Sequence, residues 1–378
     1  MKTLFQLTFA ALLLTSTNLF AQVTSEVPTT DPVEAPATEE KEEEEPSFSL
    51  TGYVDAYFQN VFTDNTDDTP GTGLAFPTSF AQETQGFGVG NVNLLAEKTV
   101  GKVGFVGQVG FGPRADAANG AFPNVQQLFV TYAPSDAVTF TLGQFGTFVG
   151  YEVIDATANM NYSTSYLFSY GPFFHTGLKA DFALAEGFGA MVGVFNNTDS
   201  RFNDPGYYYG AQLSAETGGL AAYLNFLTGT DVKDFNEAGD DATTFQVDLT
   251  ATYEISESFM LGLNASNKST SLGDIDGDGF TGVAVYLTAG LSESSSINLR
   301  AETFSVADDP LSDTEGRSVF ALTASGNINV GDLRIIPEIR FDSSSDFATK
   351  YDGGIIDFGG GDEDDSIASF ILAAVYAF

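Results

Sequence analysis

The chain has 378 residues with no cysteine, no tryptophan and one histidine, and its 51 acidic against 14 basic residues give a formal net charge of −37. The lack of cysteine excludes disulfides, thiolate metal sites and thiol nucleophiles. The acidic charge excludes nucleic acid as a partner, because binding to phosphates needs clustered lysine and arginine.

Residues 1–21 are typical of a cleaved secretory signal peptide. Lys2 precedes an apolar stretch from Leu4 to Leu14, and polar residues then lead to Leu19-Phe20-Ala21. The apolar stretch is too short and wrongly flanked for a transmembrane helix. We therefore expect export, with cleavage after Ala21.

Residues 22–46 are predicted to form a disordered acidic linker in the periplasm. From Val23 to Pro46 the chain carries nine acidic residues, one lysine and four prolines, with almost no large apolar side chains. Such a segment cannot bury enough surface to order itself. A solvated spacer is one interpretation, and a tether for a basic partner or for cations is the other.

Residues 47–378 are predicted to form one repetitive all-β unit. They contain 42 acidic and 12 basic residues, and no apolar run of 18 residues that could form a spanning helix. Period-two alternation between turn signals predicts about sixteen strands. They begin near Phe48, Gly86, Val103, Val125, Ala137, Tyr166, Phe188, Tyr207, Leu220, Thr243, Phe259, Thr281, Ile297, Arg317, Leu333 and Ser366.

The connections between these strands alternate strictly between short and long. Seven are tight turns, such as Gly101-Lys102, Glu186-Gly187 and Gly331-Asp332, and eight are longer. A membrane barrel sorts its connections in this way, because all periplasmic turns lie at one rim and all external loops at the other. The pattern predicts a transmembrane antiparallel up-and-down β-barrel of about 16 strands, with short periplasmic turns and long external loops.

Side-chain alternation assigns the two faces of the wall. From Thr244 to Glu254, apolar residues alternate with polar ones. Sixteen strands enclose a lumen too wide for side chains to fill, so the polar face lines the lumen and the apolar face meets lipid.

The last strand, Ser366 to Phe378 (SIASFILAAVYAF), is expected to close the barrel by pairing with the strands at Leu333 and Phe48. Its face from Phe370 to Phe378 should point to lipid. The opposite face, which includes Ile371 and Val375, is also apolar and is therefore expected to be covered by an in-folded loop or by the linker. The loop from Ile154 to Ser165 is the candidate for folding into the lumen.

Charged residues on the inward face are predicted to line a pore. The numbers of acidic and basic residues on this face are close to equal, whereas the external loops are acidic. The acidic loops favour a weak preference for cations. The alternative is that loop charge serves solubility and binds divalent cations at the lipopolysaccharide. Arg300, Arg317, Arg334 and Arg340 could form a basic ladder facing the in-folded loop, or pair across strands with their neighbours Glu302 and Glu338. The predicted pore-lining residues are Asp55, Glu97, Lys98, Arg114, Lys179, Asp181, Asp248, Arg300, Glu302, Arg317, Arg334, Glu338 and Arg340.

One external segment resembles the start of a calcium-binding loop. Asp274, Asp276 and Asp278 occupy positions one, three and five, and Gly279 occupies position six. Position twelve is Val285 instead of the bidentate glutamate. Weak calcium binding and a plain Asp/Gly-rich turn both remain open, and no other cofactor is expected.

The sequence offers few candidate catalytic residues. His175, the single histidine, is assigned to the inward face near Lys179 and Asp181, with no serine fixed beside it. We therefore predict no enzyme and no catalytic residues.

The stretch from Leu142 to Phe182 resembles the putative beta-barrel porin-2, OmpL-like family of outer-membrane proteins. The resemblance lies in the Leu142-Gly143-Gln144-Phe145 strand, the Gly150-Tyr151-Glu152 triplet, the Asn161-Tyr162-Ser163 loop and the segment from Pro172 to Gly177. Together with the opening strand from Phe48 and the closing strand, it covers the barrel from end to end. It implies an outer-membrane, porin-like channel and supplies no substrate or catalytic residue.

The sequence therefore predicts a porin of the bacterial outer membrane that lets small hydrophilic solutes or ions diffuse passively. Its expected partners are outer-membrane lipid, lipopolysaccharide and those solutes, and a homotrimer is a candidate assembly. The alternative is a plugged structural or adhesion barrel whose acidic loops bind calcium or a surface partner.

Overall fold

The computed structural model describes residues 48–62, 78–81, 85–119, 124–202, 206–232, 241–273, 275–308, 316–344 and 366–378. The predicted signal peptide and linker lie outside these residues. Neither described helix is long and apolar enough to cross a membrane. The elements are β1 (Phe48–Val61), β2 (Gln85–Val100), β3 (Val103–Phe111), α1 (Pro113–Asn119), β4 (Val125–Ser135), β5 (Val138–Gly146), α2 (Tyr166–Tyr170), β6 (Phe174–Ala185), β7 (Phe188–Phe195), β8 (Tyr208–Thr217), β9 (Leu220–Val232), β10 (Ala242–Ser256), β11 (Phe259–Leu272), β12 (Ile275–Ser292), β13 (Ser295–Val306), β14 (Arg317–Val330), β15 (Leu333–Ser343) and β16 (Ser366–Ala377).

The strands form one closed barrel in which each strand is antiparallel to the next and β16 pairs with β1. Tight turns join alternate pairs, and glycines supply the left-handed backbone that several of these turns need. Gly101, Gly187 and Gly331 have φ of 58°, 73° and 61°. The predicted sixteen-strand antiparallel barrel is confirmed.

The terminal strand closes the barrel as expected. The amide of Gly52 donates to the carbonyl of Phe378 at 2.9 Å, and the amide of Phe378 donates back at the same distance. Leu372 and Tyr376 on its outer face are exposed, whereas Ile371 on its inner face is fully buried. An apolar exterior is what a wall facing lipid requires.

The sixth strand begins later than predicted. The strand expected near Tyr166 is instead the short helix α2, and β6 starts at Phe174. The side chain of Ser165 caps the helix by accepting a hydrogen bond from the amide of Phe168. An apolar run this short fits either a strand or a helix by periodicity alone. The connection from residue 147 to 173, called loop 3 below, is therefore longer than the sequence indicated.

Loop 3 folds into the barrel and covers the apolar inner face of β16. Ala156 and Tyr162 of the loop pack in one buried cluster with Ile371, Ala373 and Val375. Farther along the loop, Tyr166 and Leu167 of α2 pack in a second cluster with residues of β12, β13 and β14. Both the in-folding of this loop and the covering of β16 are confirmed.

Candidate functional site: the lumen and its in-folded loop

Two wall carboxylates accept hydrogen bonds from the backbone of loop 3. Glu302 on β13 and Glu338 on β15 each take two amide N–H groups, and both side chains are buried. The donors are Tyr166 and Leu167 for Glu302, at 2.9 and 2.8 Å, and Tyr162 and Ser163 for Glu338, at 2.7 and 3.1 Å. Hydrogen bonds to a charged acceptor are stronger than neutral ones, so these four fix the loop against the wall.

Two buried guanidinium groups bind the loop carbonyls beside these amides. Arg300 donates to the carbonyl of Ser163 at 2.6 Å and pairs with Glu152 at 2.6 Å. Arg340 donates to the carbonyl of Thr164 at 2.7 Å. Arg300 and Arg340 of the predicted basic ladder thus face the loop. Arg340 also contacts Asp342 of its own strand at 2.9 Å, whereas the predicted cross-strand partners Glu302 and Glu338 bind loop amides. Arg334 joins the ladder by donating to the carbonyl of Thr157 at 3.0 Å.

A third attachment involves the second external loop. Arg114 lies in α1 and contacts Asp55 of β1 at 3.5 Å, with neither side chain exposed. Its guanidinium also lies over the rings of Phe80 and Tyr162, 4.7 and 5.3 Å from their centroids. Burial raises the pKa of Tyr162 well above its usual value, so its hydroxyl stays neutral and donates to Asp55 at 2.6 Å. Arg114 was predicted on the wall and instead reaches it from a loop.

Asp248 holds the start of loop 3 on the opposite wall. It accepts hydrogen bonds from the amide of Gly150 at 3.0 Å and from the side chains of Asn225 and Asn264 at 2.9 and 2.7 Å. Gly150 has φ of 93°, a left-handed conformation that glycine adopts without steric cost. The buried carboxylate is therefore satisfied by amide donors.

Asp155 of loop 3 lies within a cluster of amide side chains. Gln108 and Gln126 each donate to its carboxylate at 2.8 Å. Tyr53 donates at 3.3 Å, and Asn93 is linked to both glutamines. Like Asp248, this carboxylate is held by neutral groups.

A cavity of about 150 Å³ remains beside and beneath the start of loop 3. It lies against β4 to β10, toward their periplasmic turns, and residues 146–148 and 150–153 border it. Lys179 and Asp181 of β6 line it and form an ion pair of 3.0 Å. Their side chains keep 12% and 25% of their surface exposed, so they face the cavity as the sequence predicted.

Of the two residues predicted to line the pore from β2, Glu97 and Lys98, only one faces the lumen. Lys98 pairs in register with Phe48 and Phe105, both exposed on the outer face. Directly paired residues share a face, so Lys98 lies on the outer surface and its assignment to the pore was wrong. Glu97, one residue earlier, is on the inner face, as period two requires.

Part of the predicted set lies outside the described residues. This holds for Asp274 and for the side chains of Arg317, Asp276 and Asp278. The backbone of Asp276 belongs to β12 and pairs with Ser271 of β11. The calcium site stays a prediction.

His175 packs between aromatic rings in the barrel interior. It is fully buried, with its ring 4.9 Å from the centroids of both Phe148 and Phe195. Its Nε2 is 3.0 Å from the hydroxyl of Thr147. The arrangement fixes the start of loop 3.

Sequence reasoning missed the loop's own contributions. Glu152, Asp155 and Tyr162 all bind the wall through side chains, and no site role was predicted for any of them. The signal that could have identified the two acids is that Glu152 and Asp155 are the two charged residues between residues 147 and 173, in and beside the segment expected to enter the lumen.

The fold and the arrangement of the barrel interior identify the class of protein. A closed sixteen-strand barrel with an apolar exterior, a polar interior and a long loop folded into the lumen is an outer-membrane porin fold. The family described as putative beta-barrel porin-2, OmpL-like matches residues 47–378. The chain belongs to that family, which places it in the bacterial outer membrane among porins and channels and not among enzymes.

Solved structures share the fold at low sequence identity. OmpT of Vibrio cholerae, in a trimer form, aligns with a TM-score of 0.56 and 12% identity over 88% of this chain and 99% of its own. The anion-selective porin from Comamonas acidovorans gives 0.58 and 16% over 88% and 100%. The channel DcaP of Acinetobacter baumannii gives 0.55 and 13% over 89% and 99%. No curated protein matches the chain.

Proposed function

We propose that this porin passes small hydrophilic solutes and ions by passive diffusion, through a lumen narrowed by loop 3, with a weak preference for cations. The observation that carries the proposal is the unequal filling of the lumen. Loop 3 is bonded to the wall of β13 to β16 and β1. Its start also packs against β4 to β9 and bonds Asp248 of β10, but the open cavity lies beneath this start, against β4 to β10. The polar groups facing that cavity suit a hydrated solute.

The preference for cations follows from the interior charges. Within the described residues, four ion pairs join Arg114 to Asp55, Lys179 to Asp181, Arg300 to Glu152 and Arg340 to Asp342. Asp155 and Asp248 are held by neutral donors. Carboxylates therefore outnumber cations along the lumen, and the resulting negative potential concentrates cations.

Reversal potentials in planar bilayers test the preference. With potassium chloride at unequal concentrations across the membrane, we expect a potential of the sign for cation permeation, which decreases at high ionic strength as charges are screened. A potential of anion sign would contradict the proposal.

A plugged structural barrel is the second candidate, and the dense bonding of loop 3 is the observation that favours it. Liposome swelling separates the two. Folded protein that passes small sugars and ions supports the open pore, whereas folded protein with no flux supports the plugged barrel.

We also propose that copies associate through the outer face of β3 to β8. These six consecutive strands have 8–12 residues, against 14–18 for β10 to β12. A spanning strand needs about 9–11 residues at a tilt near 45°, so β7 with eight is short for the bilayer. Association is one way to cover such a mismatch.

Native molecular mass tests this face. Val192→Lys on β7 should dissociate the oligomer, whereas Val283→Lys on β12 is the matched outer-face control. Equal dissociation by both variants would refute the assignment.

A further inference from the structure

The cavity has one wall built from aromatic rings. Phe145 of β5 and Phe148 of loop 3 line it, and both are held rigidly. The ring of Phe148 rests on Gly210, where an added Cβ would come within 2.5 Å of it. Phe145 meets the ring of Phe195 edge to face, with centroids 5.9 Å apart. A fixed aromatic surface binds an apolar ligand face with little loss of entropy.

Hydroxyl groups without partners face the same cavity. The hydroxyls of Thr141 and Thr250 have no hydrogen-bond partner among the residues that the structure describes, although both side chains are largely buried. Thr141 is the direct cross-strand neighbour of Lys179, and Thr250 is that of Tyr223. A hydroxyl that is shielded from bulk water and unbonded within the protein is available to a ligand.

Among the described residues, the charged groups that line this cavity are all paired. Lys179 and Asp181 form an ion pair, and the ammonium also lies 5.6 Å from the ring of Phe145. Glu152, at the edge of the cavity, is neutralised by Arg300. A net charge on the ligand would find no counter-charge here, whereas the paired ammonium and carboxylate keep a free donor and a free acceptor side by side.

We infer that this cavity is a binding subsite for a small neutral carbohydrate, of about the size of one sugar ring. A sugar ring offers an apolar C–H face to the aromatic wall and a rim of hydroxyls that both donate and accept. The cavity volume of about 150 Å³ corresponds to roughly ten water-sized spheres, which suits a single ring. The inference deepens the proposed function and rests on it, because the subsite has a role only if solutes cross the lumen.

Glucose binding to the full-length folded porin in detergent micelles tests the subsite. Saturation-transfer NMR titrations give the dissociation constant without requiring conduction. Thr141→Val and Thr250→Val each remove one hydroxyl at nearly constant volume, and each should raise the dissociation constant about fivefold, the typical effect of one lost hydrogen bond. Thr303→Val is the matched control, because Thr303 pairs with the exposed Val283 and Phe320 on the outer face.

Ion conductance of the same preparations shows that each variant has folded. Glucose binding that weakens in both cavity variants and not in the control supports the subsite. A conducting porin that does not bind glucose, or that binds glycine betaine or glutamate in its place, overturns the subsite and leaves the proposed function intact. A barrel that binds glucose and passes neither ions nor sugars overturns the proposed function instead.

Discussion

Removing both carboxylates that bind the amides of loop 3 should release the loop from the wall. The variant Glu302→Ala/Glu338→Ala deletes four hydrogen bonds from backbone N–H groups to a charged acceptor. Neither guanidinium beside them loses its own ion pair, because Arg300 keeps Glu152 and Arg340 keeps Asp342. The strand ladders are untouched, since both side chains project into the lumen.

The size of the effect follows from the number of bonds. A hydrogen bond to a charged group contributes about 1.5–3 kcal/mol net of the water it replaces, so four contribute on the order of 6–12 kcal/mol if they are additive. A net loss of even about 3 kcal/mol changes the ratio of released to bound loop more than a hundredfold. If the loop of the variant stays against the wall, its four N–H groups are buried beside alanine without a partner. If the loop is released, water accepts hydrogen bonds from them.

Single-channel recording in planar bilayers measures the outcome. We expect a larger unit conductance than wild type, with frequent transitions between levels as the loop moves. The control is Glu97→Ala/Glu254→Ala, which removes the same charge from inner-face residues that have no hydrogen bond to loop 3 within the described structure. If the double variant conducts like wild type and like the control, the carboxylates do not hold the loop and the reasoning fails.

Three further outcomes are expected. Arg114→Met leaves the buried Asp55 without its cation and should lower the stability by about 3–5 kcal/mol in urea unfolding; a loss below 1 kcal/mol would contradict the buried pair. Lys179→Gln frees Asp181 and should move the reversal potential further toward cations, while Lys102→Gln at a periplasmic turn should not. Deleting Phe378 removes both hydrogen bonds to Gly52 and should slow barrel assembly, followed by heat-dependent gel mobility; unchanged assembly would argue against its closing role.

The wall of the barrel could be predicted from local sequence because its rules are local. Period two assigned the inner and outer faces of β10, and turn residues marked the periplasmic rim. The same rule exposes the error at Lys98. Glu97 and Lys98 are adjacent in one strand, so only one of them can face the lumen, and pairing with Phe105 settles which.

The contacts between loop 3 and the barrel wall could not be predicted from the sequence. Glu302 and Tyr166 are 136 residues apart, and Glu338 and Tyr162 are 176 apart. Alternation along a strand shows that a residue faces the lumen. It does not show whether that residue contacts water or another part of the protein there. Residues assigned to a solvated pore wall, such as Arg300 and Glu302, are therefore buried beneath the loop.

The order of charges on β13 and β15 shows why the loop takes this position. Arg300 and Arg340 flank Thr323 of β14 in one cross-strand row, and Asp342 lies in the adjacent row with Glu302. Glu338 lies in the row on the other side of the two arginines. A wall facing water needs no such order, because water donates and accepts equally well. A wall facing a backbone needs carboxylates opposite N–H groups and guanidiniums opposite carbonyls, and that arrangement is found here: acidic rows meet the amides of loop 3, and the basic row between them meets its carbonyls.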